Sequence, residues 1–353
     1  MMNDSIKVTM NRIAKELNVS RTTVYRVVHN KPHVNEKMKL EILKLIEKYD
    51  YLPNITAQNL VRKITGTIGV VFENLTVSFR NMFAQYLVQY INERSYRVIL
   101  QLFDKENIDR FLACLQQDFT GRRIDGLMID ADPIFWEHPR LRVMIEKMRA
   151  KKFPFVFLSA RKNGEGIPFV STDRVLGAYK AVSHLIQLGH RRIAYASNAF
   201  YQASVNLSLR LEGYRKALQE AGIPEDKELF ISIPGASYRD GYAAGCMIAQ
   251  MRDKPSAVFC VNDIVAIGML RALREKQIRV PQDMALIGFD NIEASEYAEV
   301  PLTTVEQPIR ALAEEGVRML YDRIHNPDLP VKQIYLEPKI IIRASCGAPV
   351  KRE

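Results

Sequence analysis

The pattern over residues 9–28 constrains this chain most, because it fits two short helices joined by a tight turn. Ile13, Ala14 and Leu17 share one face of a first helix. Asn18 suits the turn, since Asn tolerates left-handed backbone better than most residues. Val19 follows as an apolar plug. Ser20 is a suitable N-cap for a second helix, whose inner face is Val24, Val27 and Val28. Arg21, Thr22, Tyr25 and Arg26 are left on the outer face. A short helix presenting two guanidiniums, a hydroxyl and a phenol suits the DNA major groove, where Arg pairs bidentately with guanine.

A third amphipathic helix is expected next. Asn35 is its predicted N-cap, and Met38, Ile42, Leu45, Ile46 and Tyr49 recur at helical spacing. Pro53 forbids its continuation. Asn54 would cap a very short helix, too short to be stable alone in water, which would form only against a partner. Leu60, followed by Arg62 and Lys63, fits a minor groove that an apolar wedge kinks. An ordinary linker accounts for the same residues. Residues 1–65 hold twelve basic side chains against six acidic ones, so +6 of the chain's net +10 lies in under a fifth of its 353 residues. A basic headpiece on a near-neutral body is the electrostatic footprint of a nucleic-acid-binding module.

From Thr67 the texture changes. Apolar strand runs are expected at 67–72, 96–102, 126–129, 155–158, 169–170, 192–195, 257–261 and 285–289. Helical segments are expected at 80–94, 173–188, 208–221, 239–252, 263–276 and 307–325. Continuous apolar strands alternating with helices imply parallel sheets covered on both faces. So long a stretch of that texture implies two α/β lobes. The lead Met-Met-Asn-Asp-Ser-Ile-Lys has no apolar core for export, and no run of about eighteen apolar residues exists. The expected location is therefore the cytoplasm, with no membrane partner. Cys114, Cys246, Cys260 and Cys346 lie far apart and read as buried or semi-buried thiols. The chain has no Gly-x-Gly-x-x-Gly after a strand, no Walker loop, no Gly-x-Ser-x-Gly elbow and no His/Cys metal spacing. We expect no enzyme, no cofactor and no metal.

The residues also resemble a known family, the LacI/GalR (lactose-repressor/galactose-repressor) transcription factors, over nearly the whole chain. The matching pieces in the headpiece are Val19-Ser20-x-x-Thr23-Val24-x-Arg26-Val27 and Tyr51-x-Pro53-Asn54-x-x-Ala57-x-x-Leu60. In the core they are Asp173-x-x-x-Gly177 through Gly189-His190-Arg191-x-Ile193, Asn262-Asp263-x-x-Ala266-x-Gly268, Val280-Pro281 through Gly288-Phe289-Asp290, and Pro301-Leu302-Thr303-Thr304-Val305. The resemblance implies a helix-turn-helix headpiece over 1–52, a hinge over 53–65 and a two-lobed, periplasmic-binding-protein-like core over 66–346, with 347–353 a tail. The first lobe would take about 66–171 and 306–333, the second about 172–303 and 334–346. It further implies a homodimer on a pseudo-palindromic double-stranded DNA operator and a small carbohydrate-like effector in the interlobe cleft.

The implied DNA contacts are Thr9, Ser20, Arg21, Thr22, Thr23, Tyr25, Arg26, His29, Tyr51, Asn54, Ala57 and Leu60. Ligands of open α/β sheets bind outside the carboxyl ends of the strands. Phe79, Asp130, Ser159, Arg210, Asn262 and Asp290 are the candidates there, while Asp263 reads as a helix N-cap and His190 as structural. Arg210, Asn262 and Asp290 are those the resemblance supports. Phe79 and Trp136 are candidate platforms for a sugar ring. Repression of carbohydrate-utilisation genes is the expected function. Activation or dual regulation is the alternative, and a sugar receptor without a DNA function is the rival of another class.

Several positions depart from the family pattern. Arg12 stands where an acid would complete a capping box with Thr9. Tyr25 replaces a usual Ser on the recognition helix. Ser159 replaces a frequent Asp or Asn, and Ala236 stands where some relatives carry an aromatic residue.

Overall fold

The computed structural model describes residues 9–28, 31–49, 51, 64–73, 75, 78–102, 108–121, 123–130, 139–158, 166–198 and 205–349. The chain divides into two units, Met1–Thr65 and Gly66–Glu353. His29, Asn54, Ala57, Leu60, Trp136 and Ser159, and the expected hinge helix, lie outside the described residues.

The first unit is a three-helix bundle of α1 (Met10–Glu16), α2 (Arg21–Val28) and α3 (Glu36–Lys48). Asn18 adopts φ +49°, and the turn it makes lets the Val19 N–H donate to the Ala14 carbonyl at 2.9 Å. Ser20 caps α2, its Oγ accepting from the Thr23 N–H at 3.1 Å. Asn35 caps α3 by accepting from the Lys37 N–H at 2.9 Å. Ile13, Ala14, Val24, Val27 and Ile42 form the core. Tyr51 was expected among the DNA contacts, but it is only 8% exposed and packs into that same core. Arg12 does not extend freely into solvent. Its guanidinium lies 5.2 Å from the centre of the Tyr49 ring, whose hydroxyl donates to the Glu16 carboxylate.

The second unit runs β1 (Thr67–Phe72), α4 (Ser78–Glu93), β2 (Arg97–Leu102), α5 (Ile108–Thr120), β3 (Gly126–Asp130), α6 (Pro139–Ala150), β4 (Phe155–Phe157) and β5 (Phe169–Thr172). It continues with α7 (Arg174–Gln187), β6 (Ile193–Asn198), α8 (Val205–Glu220), β7 (Phe230–Ile233), α9 (Tyr238–Gln250), β8 (Ala257–Cys260) and α10 (Asp263–Glu275). It ends with β9 (Ala285–Phe289), α11 (Glu293–Glu296), β10 (Thr303–Glu306), α12 (Ile309–His325), β11 (Gln333–Leu336) and β12 (Lys339–Ile341). One sheet has the order β11-β5-β4-β3-β1-β2 and the other β12-β10-β9-β8-β6-β7. Every pairing is parallel except β10 with β12.

The central strands are buried along their length, so each sheet is covered on both faces. Each fully buried Leu, Ile, Val or Phe side chain contributes about 1.5–3 kcal/mol. Glycine at 213 lets α8 lie directly on α7, because a Cβ there would stand 2.2 Å from the Val175 carbonyl oxygen. The strands β7, β10, β11 and β12 and the helices α5, α6 and α11 were not expected from the sequence. The strands are only three or four residues long, and no residue of β11 or β12 is fully buried, which leaves no long apolar run to read.

The backbone passes between the lobes at Asp173, at Gln307–Pro308 and at Glu337–Pro338. Strand β11 pairs with β5, so the lobe boundary expected at 333–334 moves to 337–338. Lys180 on α7 fixes that last passage by pairing with Glu337 and donating to the Pro338 carbonyl at 3.1 Å.

Candidate functional site: an interlobe cleft and a helix-turn-helix surface

The carboxyl ends of β1, β3 and β5 in one lobe and of β6, β8 and β9 in the other carry the polar residues of the core. In the first lobe, Arg80 in the first turn of α4 is held between two acids. Its Nε meets Asp130 Oδ2 and its Nη2 meets Glu73 Oε2, both at 3.1 Å. Asp130 closes β3 and is 6% exposed. Phe79, one residue earlier, packs its ring 6.0 Å from that of Phe83.

In the second lobe, Asp290 follows β9 with φ +112°, a backbone that holds the carboxyl where the strand ends. Its Oδ1 accepts from Gln307 Nε2 at 2.7 Å and lies 3.5 Å from Arg210 Nη2. Arg210 sits within α8, not at its start, and its guanidinium lies over the Phe289 ring at 4.1 Å. Arg174 Nη1 donates to Ser171 Oγ at 2.7 Å. Asn262 Oδ1 accepts from the Val265 N–H at 2.9 Å. The N-cap of α10 is therefore Asn262 and not Asp263, as had been expected. Asp263 is instead wholly buried, accepting from Thr304 Oγ1 (2.5 Å), Ser295 Oγ (2.8 Å) and the Ile292 N–H (2.9 Å).

The two walls act on each other electrostatically. Burial pushes the Asp130 carboxyl up from the ordinary range, against the charges of Arg80 and of Arg174 from the other lobe. Burial likewise pushes Asp290 up, against Arg210, the Gln307 hydrogen bond, Arg174 and Arg80. Asp263 is raised to about 7 by burial and then by the negative charge of Asp290, against its three donated hydrogen bonds. Arg210 Nε, Gln307 Oε1 and Thr172 Oγ1 are buried with no hydrogen-bond partner among the described residues. Native proteins seldom leave such atoms unpaired.

Four cleft residues, Glu73, Arg80, Arg174 and Gln307, were not singled out from the sequence. Arg174 adjoins the quoted Asp173, and Arg80 is the lone cation of α4. Gln307 carried no signal. Ala236 is exposed, just before the Ser237 that caps α9. His190 Nδ1 lies 3.0 Å from Ser256 Oγ, a tie between a loop and a strand entry. Of the thiols, Cys260 and Cys346 are buried, but Cys114 is exposed, contrary to expectation.

On the headpiece, Ser20, Arg21, Thr22, Tyr25 and Arg26 are exposed and Thr23 is half-buried, while Thr9 starts α1 with no side-chain cap bond. The outer surface of α2 thus presents hydroxyls, a phenol and two guanidiniums over the buried Val24 and Val27.

Residues 9–54 match the family described as bacterial regulatory proteins, lacI family, and residues 182–346 match a periplasmic binding protein-like domain. The HTH-type transcriptional repressor PurR of Mannheimia succiniciproducens is 31% identical, over 96% of this chain and 98% of its own length. The chain belongs to the LacI family. The HTH-type transcriptional regulator RegA of Clostridium acetobutylicum is 33% identical over 95% of this chain and 98% of its own length. The Lac repressor dimer bound to operator and the anti-inducer ONPF superposes with a TM-score of 0.82 at 25% identity, over 97% of this chain and 99% of that one. The complex of the transcriptional regulator CelR with cellobiose gives 0.70 at 27% identity, over 96% and 99%. This LacI-family chain is accordingly a transcriptional regulator with a helix-turn-helix region and a two-lobed core. No described helix is long and apolar enough to cross a membrane.

Proposed function

We propose that this protein is a repressor of carbohydrate-utilisation genes that binds a pseudo-palindromic operator as a homodimer and is controlled by a small saccharide in the interlobe cleft. It works where the DNA is, in the bacterial cytoplasm. One observation carries the saccharide reading. Among the described residues, Arg210 Nε is a buried donor and Gln307 Oε1 a buried acceptor with no partner, and both side chains are already bonded to Asp290. A hydroxyl both donates and accepts, so a ring bearing adjacent hydroxyls satisfies this wall. Phe79 supplies apolar surface on the opposite wall. The solved CelR–cellobiose complex, and a LacI family regulator of Enterococcus faecium with bound ribose at 30% identity and a TM-score of 0.68, support the same class.

Arg21, Thr22, Tyr25 and Arg26 read base edges in the major groove, and Ser20, Thr23 and Thr9 meet phosphates. Asn54, Ala57 and Leu60 belong to the hinge that enters the minor groove. Dimerisation is supported by two exposed apolar surfaces of the core. The outer strand β2 exposes Ile99, Leu100 and Leu102, and an unguarded apolar edge strand calls for a cover. A groove of about 500 Å³ between α9 and α10 is lined by Tyr238, Tyr242 and Ile267. A ligand that binds one lobe arrangement better than another shifts the equilibrium between them, and with it DNA affinity. The test is selection of genomic fragments by the full chain, then footprinting with and without saccharides. A protected pseudo-palindrome that one saccharide releases is expected. Absence of any protected site would refute the reading.

A further inference from the structure

The cleft charges point to the chemical class of the effector, an inference that rests on the saccharide reading above. Three arginines stand there, Arg80, Arg174 and Arg210, and each faces acid. Arg80 is clasped by Glu73 and Asp130 at 3.1 Å each, and Arg210 is paired with Asp290 at 3.5 Å. The charge of Arg174 acts on both Asp130 and Asp290, one in each lobe. Three cations therefore meet three carboxylates, Glu73, Asp130 and Asp290. Asp130 and Asp290 are under 9% exposed, so solvent does little to relieve either.

We infer that the cleft selects an uncharged polyol or saccharide and rejects sugar acids and sugar phosphates. A carboxylate or phosphate entering here finds Arg80 and Arg210 each already paired with an acid, and Arg174 bonded to Ser171 within the field of Asp130 and Asp290. It must break an internal pair and strand that pair's acid in a buried setting, which is costly. An uncharged hydroxyl asks for no such exchange. It uses the open donor of Arg210 and the open acceptor of Gln307 while every ion pair stays intact. Arginine in a ligand cleft usually reads as an anion receptor. Here the guanidiniums serve as fixed donors whose charge is already spent on their neighbours.

Thermal shift of the full chain, at matched ionic strength, tests this with related probes: glucose, glucuronate and glucose 6-phosphate; galactose and galacturonate; ribose and ribose 5-phosphate; and cellobiose. We expect at least one uncharged sugar to stabilise the protein, with its anionic partner at least tenfold weaker in midpoint concentration. An anionic probe that equals or exceeds its uncharged partner overturns the inference. Silence from every probe overturns the saccharide reading, and this inference with it. Inorganic phosphate gives an independent arm. Asp290→Asn uncovers Arg210, and Asp130→Asn partly uncovers Arg80 in the other lobe. Phosphate should stabilise at least one folded variant beyond its effect on the wild type. Equal phosphate shifts in wild type and both variants overturn the charge argument, whatever the sugars do.

Discussion

The guanidinium of Arg210 rests on the ring of Phe289, 4.1 Å from its centroid, while one of its nitrogens reaches Asp290, the next residue along. The ring fixes the plane of the cation and the carboxylate fixes its rotation. Phe289→Leu keeps an apolar side chain but removes the platform. We expect a stability loss of about 1–2 kcal/mol, because Leu is smaller than the fully buried Phe and leaves a small cavity. Effector affinity should fall by more than that, since Arg210 is then held at one point only. Melting curves and effector titration separate the two, and an unchanged titration would show that the ring does not position the arginine.

Arg26 projects from α2 with its neighbours Val24 and Val27 buried beneath it. Arg26→Ala should cost roughly 1–3 kcal/mol of specific binding and relax discrimination at one operator position. Gel shifts against single-base operator variants report this directly. Uniform weakening across all variants would reassign Arg26 to a phosphate.

Asp263 predicts an unusual dependence of stability on pH. Its carboxyl is raised to about 7 in the fold by burial and by Asp290. A raised carboxyl contributes most while protonated, and that contribution is lost as pH climbs from its unfolded value through the folded one. The wild type should therefore lose stability between about pH 5 and pH 8 relative to Asp263→Asn, by an amount on the order of 2 kcal/mol. Parallel denaturant curves across that window check it. Two variants that track each other would mean the three donated hydrogen bonds keep Asp263 ionised throughout.

Gly213 has no room for even one carbon, given the Val175 carbonyl 2.2 Å from where it would lie. Gly213→Ala must push α8 away from α7, and overpacking of this kind costs about 1–3 kcal/mol or more. Because Arg210 is one turn earlier on α8, effector response should fall together with the melting temperature. Loss of stability with full response would separate helix packing from the cleft.

Much of the fold was readable because it depends on local chemistry. Asn18 in the turn, Ser20 and Asn35 as caps, and the buried runs of β1 and β9 follow from single residues or short apolar stretches. The strands that escaped notice are three or four residues long, and β11 finds its partner β5 more than 150 residues earlier. The cleft was half legible. Asp130, Arg210, Asn262 and Asp290 stand at strand or motif ends, where convention looks. Arg80, Arg174 and Gln307 matter because of acids that approach from elsewhere in sequence, and no spacing rule announces them. Tyr51 shows the converse: its place beside the hinge motif suggested a surface role, but the small bundle needed its ring as core.

The last two strands have a consequence for biosynthesis. Strand β11 completes one sheet and β12, a few residues later, completes the other, so each lobe is assembled from stretches of chain scattered along the sequence. Neither lobe reaches its full sheet until residues 333–341 have left the ribosome. Contacts of such long range slow folding and leave apolar surface uncovered meanwhile. The headpiece has no such debt to the C-terminus and folds from its own residues. A nascent regulator would thus carry a finished DNA-reading end before it has a cleft with which to be controlled.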